Sequence, residues 1–153
     1  GSGLGRINAI AVNPSNTNII YVGAATGGIW KSTNGGSNWA ESVTPDVYSL
    51  GISDIAICKS KPNVILAATG DANAPNSTYN AFSSGLLLST DDGNSWKEVN
   101  IDAIAQSIEQ SNQVIIYSVL INHNNSSKFI IATNTGVYHS DNSGSSWTKS
   151  QSS

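Results

Sequence analysis

One eight-residue phrase occurs three times in this chain of 153 residues. It reads Ser32-Thr33-Asn34-Gly35-Gly36-Ser37-Asn38-Trp39, then Ser89-Thr90-Asp91-Asp92-Gly93-Asn94-Ser95-Trp96, then Ser140-Asp141-Asn142-Ser143-Gly144-Ser145-Ser146-Trp147. The shared skeleton is Ser-x-(Asp/Asn)-x-Gly-x-x-Trp. A hydrophobic stretch, a short break and a glycine followed by apolar residues lead into each copy. Recurrence of this kind makes each repeat one structural unit, so the fold is a row of small, similar elements.

The phrase suits a tight hairpin between two strands. The side chains of Asn34, Asp91 and Asn142 can accept hydrogen bonds from backbone N–H groups just ahead and hold the turn. Ser32, Ser89 and Ser140 can bond the same turn, and Gly36, Gly93 and Gly144 supply a position where positive φ costs little. Trp39, Trp96 and Trp147 open the next strand and are expected to bury a large ring beneath it. Adjacent Asp91 and Asp92 look like an acid–base pair. In register, however, Asp92 matches Gly35 and Ser143, which makes it an exposed turn residue.

The units align without gaps over their first two strands. Arg6–Val12 matches Gly51–Ile57 and Ile115–Ile121; after a polar turn, Ile19–Gly23 matches Val64–Ala68 and Lys128–Ala132. The polar turn of the third unit runs from Asn122 to Ser127. A third strand starts at Gly28, Gly85 or Gly136 and ends in the phrase; a fourth starts near its Trp. Each unit is thus a four-stranded antiparallel meander, in keeping with the β-branched content and the Gly, Asn, Ser and Pro punctuation. The phrases recur at about 57 and 51 residues, near the roughly 40–50 of propeller blades. The expected fold is all-β: three β-propeller blades at about 5–44, 50–100 and 114–150. Nearly continuous apolar strands fit blades covered on both faces. A ring needs roughly 4–8 blades, so the chain is expected to be part of a larger propeller; the other arrangement is copies that complete a ring together.

Charged residues make up 11% and the net charge is −3. No basic patch exists for nucleic acid to neutralise, and no apolar run is long enough to span a membrane as a helix. Abundant Ser and Asn with scarce Lys suit a secreted, carbohydrate-facing surface. The single cysteine, Cys58, excludes an internal disulfide and a cysteine-based zinc site; a buried or semi-buried thiol is expected. Three N-x-[ST] matches, at Asn76, Asn124 and Asn125, are the chance yield of an Asn/Ser-rich chain. No cofactor or metal is expected. His123 falls in a turn and His139 on a strand surface, at opposite ends of the third unit. Ala24–Gly28 has no helix after it and is no phosphate cradle.

In a propeller the loops from strand two to strand three lie at the end opposite the repeated turns. The second unit carries a long insertion there, from Asp71 to Phe82. Extra length in a surface loop is a functional hint. Its Asp71, Asn73, Tyr79 and Asn80 are candidates to bind a sugar or a cation, and a cap on the neighbouring blade is the plainer role. A second long segment, Asn100–Gln113, has apolar spacing for one or two helical turns that cover the core. No catalytic residue is assigned.

The repeated phrase is identified as the Asp-box, or BNR repeat. The runs Gly5-Arg6-Ile7-Asn8, Tyr21–Ser32, Gly51–Ile57 and Ala67-Ala68-Thr69-Gly70-Asp71 resemble the N-terminal blades of secreted bacterial Asp-box propellers, over nearly the whole chain. Related architectures are the sortilin/VPS10 propeller, the photosystem II assembly propeller, sialidases and family 74 glycoside hydrolases (xyloglucanases). The resemblance implies export, in many such proteins by type IX secretion. Sialidases grip the substrate carboxylate with three arginines, and this chain has only Arg6; lysine does not replace a bidentate clamp. Family 74 enzymes carry a catalytic Asp two positions before the Gly-Gly of the first blade, where this chain has Ala25. Glycoside hydrolysis normally needs two carboxyl groups. The expected function is therefore a non-catalytic module of a secreted or cell-surface protein that binds a glycan or protein partner. The alternative is a polysaccharide-active hydrolase domain whose catalytic residues lie mostly elsewhere.

Overall fold

A computed structural model describes residues 5–42, 51–74, 82–105 and 114–151. The first sheet contains β1 (Ile7–Val12), β2 (Ile20–Ala24), β3 (Ile29–Ser32) and β4 (Ala40–Glu41). The second contains β5 (Ile52–Ile57), β6 (Ile65–Thr69), β7 (Leu86–Ser89) and β8 (Lys97–Val99). One helical turn, α1 (Asp102–Ala105), precedes the third, built from β9 (Ile116–Asn122), β10 (Asn125–Thr133), β11 (Gly136–Ser140) and β12 (Thr148–Lys149). Each sheet has four strands in chain order and each neighbour is antiparallel. The first strands pack side by side, β1 on β5 and β5 on β9. The sheets are three blades of an incomplete β-propeller.

The same bond closes the inner end of every blade. The N–H groups of Ala25, Gly70 and Asn134 donate to the carbonyls of Arg6, Gly51 and Ile115, at 2.8, 2.8 and 3.1 Å. The third blade differs in its first turn. Asn122 pairs with Asn125, so β10 starts early; the Asn122 side chain accepts from the N–H groups of Asn124 and Asn125 at 2.9 and 3.1 Å. The loop over 122–127 is thus shorter than expected, although the Asn13 side chain holds the first blade's turn in the same way, accepting from the N–H groups of Ser15 and Asn16 at 2.9 and 3.2 Å.

The core lies between blades, in two layers. Ala9, Tyr21 and Ile29 of the first meet Ile52, Ile55, Ile65, Ala67 and Leu87 of the second. On the other side, Leu66 and Leu86 meet Ile116, Val119, Ile121, Phe129, Ile131 and Tyr138. Ile101 and Ile104 around α1 join that second layer. Strand β6, between the layers, is buried at all five positions. Strand β9, with one layer only, alternates buried and exposed residues along its C-terminal part. Residues equivalent to buried ones are uncovered at both ends of the arc: Ile10 is 69% exposed where Ile55 and Val119 are each 6%. Ile130 is 45% exposed where Tyr21 and Leu66 are 0%.

Polar contacts lock the first joint. The Tyr21 hydroxyl donates to the Asp92 carbonyl at 2.7 Å and to its carboxylate at 2.9 Å. The Lys31 ammonium donates to the same two groups at 2.6 and 2.7 Å. Asp92 is therefore half-buried between blades, a correction to its expected place on an exposed turn: the positive φ of 63° aims its side chain and carbonyl at the preceding blade. Burial and then the Asp92 carboxylate push the Tyr21 hydroxyl far above its ordinary range. Cys58 is fully buried at the second joint, its sulfur 3.6 Å from the Asn122 carbonyl.

Close approach fixes glycine at Gly144. It has φ +83°, and an added Cβ would fall 2.2 Å from Val99 Cγ1 in the preceding blade. Gly28 has φ +70° and open space around it. Gly28→Ala is expected to cost about 1 kcal/mol through backbone conformation alone. Gly144→Ala should lose roughly 1–3 kcal/mol more through overpacking. Urea unfolding of the two variants checks the order.

Candidate functional site

The three repeated turns carry one hydrogen-bond pattern. The hydroxyls of Ser32, Ser89 and Ser140 donate to Asn34, Asp91 and Asn142 at 3.0, 2.8 and 2.9 Å. The same hydroxyls accept from the N–H groups of Gly36, Gly93 and Gly144, each at 2.9 Å. The Asn or Asp oxygen then accepts the N–H of Asn38, Ser95 or Ser146, each at 2.9 Å. Asn and Asp serve alike because the turn needs one acceptor oxygen. Asp91 has a second oxygen, which takes the Ser95 hydroxyl. That bond first, then the Ser95 N–H and the Ser89 hydroxyl, lower its pKa from 3.8 to about 2. Asp141 is also held below its ordinary range, by the hydrogen bond and charge of Lys128.

Trp39, Trp96 and Trp147 are half-buried, less than the sequence leads one to expect; the indoles of Trp96 and Trp147 lie along joints at the rim. Trp96 donates its N–H to the Ser42 carbonyl at 2.7 Å, and Trp147 to that of Asn100 at 3.3 Å, both in the preceding blade. Trp39 has no described blade before it. A cleft of about 590 Å³ beside it is lined by Lys31, Asn34, Trp39, Glu41 and Asn94. The Lys31 ammonium in that lining is committed to Asp92.

The opposite end holds a different cluster. Asp71 follows β6, and its side chain is 7% exposed. One of its oxygens pairs with the Arg6 guanidinium, whose side chain is 52% exposed. The other accepts the Asn8 amide at 3.1 Å and the Asn73 N–H at 3.2 Å. Asn8 also donates to the Ile52 carbonyl at 3.1 Å, and the Asn73 amide reaches Asn8 at 3.4 Å. Arg6 and Asn8 belong to the first blade, Asp71 and Asn73 to the second. Equivalents of Arg6 and Asp71 at the next joint are Gly51 and Thr135, so this pair is not a product of the repeat. Tyr79 and Asn80 lie outside the described residues, as do 106–113 of the second long segment.

Other candidates stay apart. His123 is exposed in its turn and His139 half-buried on β11. Among the described residues, no group of three His, Cys, Asp or Glu could hold a metal. Asp54, on the inner strand of the second blade, accepts the Ser118 hydroxyl at 2.7 Å and the Val119 N–H at 2.9 Å. Ala25 is buried, its N–H on the Arg6 carbonyl. Sequence reasoning missed Asn8 and the partnership of Arg6 with Asp71, because contact across blades 65 residues apart leaves no local pattern.

No family model matches the chain, and no curated protein matches it. Among solved structures, an ancestral GH74 enzyme superposes with a TM-score of 0.76 at 30% identity, over 99% of this chain. The chain spans 19% of the length of that enzyme. YCF48 from Cyanidioschyzon merolae superposes with a TM-score of 0.67 at 16% identity, over 97% of this chain and 41% of that one. The GH74 enzyme of Niastella koreensis gives 0.55 at 16% identity, over 93% and 29%. All are similar in fold to this arc of blades.

Two outcomes follow from this geometry. A carboxylate with a lowered pKa contributes stability that is present above its unfolded value and lost as pH falls through the folded one. The Ser95 amide resonance should therefore titrate near pH 2, the second turn weakening between about pH 4 and 2, and Asp91→Asn should remove that titration. At the other end, Arg6→Ala leaves a buried carboxylate without its charge partner and should cost about 2 kcal/mol. Asp71→Ala removes the acceptor shared by the Arg6 guanidinium, the Asn8 amide and the Asn73 N–H and should cost more, about 3 kcal/mol. Denaturation of both variants tests the asymmetry.

Proposed function

We propose that the chain is part of a non-catalytic propeller module that binds a glycan or protein partner at the end carrying Arg6, Asn8, Asp71 and Asn73. The observation behind this reading is the engagement of the carboxylates there. Asp71 and Asp54 are both tied into joints between blades, and Ala25 stands where family 74 enzymes have a catalytic Asp. A face whose acids are committed to structure suits recognition better than hydrolysis. The repeated turns act as Asp-boxes, scaffold for that face. Further blades cover Ile10 at one end of the arc and Ile130 at the other. The Ser/Asn-rich, Lys-poor composition suits a secreted or cell-surface bacterial protein, exported by type IX secretion. A YCF48 structure with D1 peptide bound is a precedent for a protein ligand on this fold.

A second reading is a polysaccharide-active hydrolase domain, xyloglucanase- or sialidase-like, with its catalytic residues mostly in other blades. The 30% identity to the ancestral GH74 enzyme favours its xyloglucanase form. Immobilised glycan and peptide panels, run beside a reducing-sugar assay on xyloglucan, separate the readings. The chain should bind at least one panel member, weaken on Asn73→Ala, and release no sugar. Release of sugar by the complete propeller that contains this arc, or binding to nothing, would contradict the proposal.

A further inference from the structure

The chain contains one Asn-Gly pair, Asn34-Gly35, and it lies inside the first repeated turn. An asparagine side chain reacts most readily with its own backbone when glycine follows. Glycine leaves the next nitrogen uncrowded and its backbone free to rotate. The equivalent pairs are Asp91-Asp92 and Asn142-Ser143, so turns of one geometry carry three versions of the reacting pair.

The turn acts on this chemistry in two opposing ways. The Asn34 side-chain oxygen accepts the Ser32 hydroxyl at 3.0 Å and the Asn38 N–H at 2.9 Å. Two donors on one carbonyl oxygen stabilise the negative charge that grows there when a nucleophile attacks its carbon. The nucleophile itself is held back. The Gly35 N–H donates to the Asn18 carbonyl at 3.0 Å, as the Asp92 N–H does to Asn63 at 3.1 Å and the Ser143 N–H to Ser127 at 2.8 Å. Reaction therefore waits for a local opening of that one bond. Asn34 is exposed and lines the cleft beside Trp39. Asp91 and Asn142 are exposed too, although each has a blade before it, so this accessibility belongs to the turn and not to the end of the arc.

We propose that Asn34 is a self-modification site, converted to aspartate through a cyclic imide. The Gly35 nitrogen gives its proton to solvent and attacks Asn34 Cγ. The bond from Cγ to Nδ2 breaks, and that nitrogen takes a proton and leaves as ammonia. Water then adds to Cγ and the bond from Cγ to the Gly35 nitrogen breaks; the nitrogen regains its proton and a carboxylate remains. Water adding instead to the main-chain carbonyl carbon gives iso-aspartate, with an extra methylene in the backbone. The Ser32 and Asn38 donors stay on the Cγ oxygen, polarise that carbonyl and direct water to it. The product has its precedent in the second turn, where Asp91 takes the same two bonds at 2.8 and 2.9 Å. Iso-aspartate would lengthen the short loop that brings the Gly36 N–H to the Ser32 hydroxyl at 2.9 Å. The first turn thus matures into the Asp form of the second, and the cleft gains a negative charge.

Peptide mapping by mass spectrometry after incubation in mildly alkaline buffer tests this, with fragmentation that tells aspartate from its isomer. Asn34 should convert at least about tenfold faster than Asn142, since only Asn34 precedes a glycine, and aspartate should be the main product. Ser143→Gly removes a side chain from a residue whose φ is already +57°, which relieves strain, and should bring Asn142 to the Asn34 rate. In urea Asn34 should convert at least about tenfold faster than in the folded chain, because the Asn18 bond no longer gates it, and iso-aspartate should become the main product. An Asn34 that stays intact in the folded chain, or converts no faster than Asn142, overturns the site. So does Ser143→Gly without effect, no acceleration in urea, or iso-aspartate as the main product of the folded chain.

Discussion

A blade is stable only with a neighbour on its face. Each sheet here has four short strands, and the interior of the molecule is the apolar layer between sheets rather than anything within one. Burial of apolar area is worth roughly 25 cal/mol per Å², so a layer filled by Tyr21, Ile29, Ile52, Ile65 and Leu87 outweighs the contribution of any single turn. The middle blade shares in both layers, and the outer two share in one each. Glycine sets how closely the layers approach: a Cβ at Gly23 would stand 2.4 Å from Ile52 Cγ2.

Much of this was legible in the sequence, since the code is local. Ser, Asp or Asn, and Gly at fixed offsets define a turn by hydrogen bonds within a few residues. The three turns duly show nearly identical distances, with Asn34 and Asn142 doing what Asp91 does. Strand order followed from that punctuation. What escaped was contact between repeats. Asp92 looked like any other turn residue because its role depends on Tyr21 and Lys31, which lie 71 and 61 residues away. Trp96 and Trp147 read as core residues, yet they lie along joints at the rim. Inner-strand bulges at Asn8, Ser53 and Tyr117 have no sequence signature of their own, since Asn, Ser and Tyr all suit a strand edge.

The two ends of the arc divide the labour. At one end, repetition rules: the same turn recurs, and its polar groups are consumed by the turn itself and by the neighbouring blade. At the other, equivalent positions diverge: Arg6 against Gly51 and Ile115, Asp71 against Thr26 and Thr135, Asn8 against Ser53 and Tyr117. Divergence on a repeated frame is where recognition can be fitted without disturbing the fold. The carboxylates found there are bound up in joints between blades.

Native-state hydrogen exchange measures the dependence on joints most directly. Amides of β6, covered on both faces, should exchange only through global unfolding. Those of β10 and β11, with Ile130 and Val137 open to solvent, should open earlier through local fluctuations. Equal protection across the three sheets, or β6 exchanging first, would contradict the account.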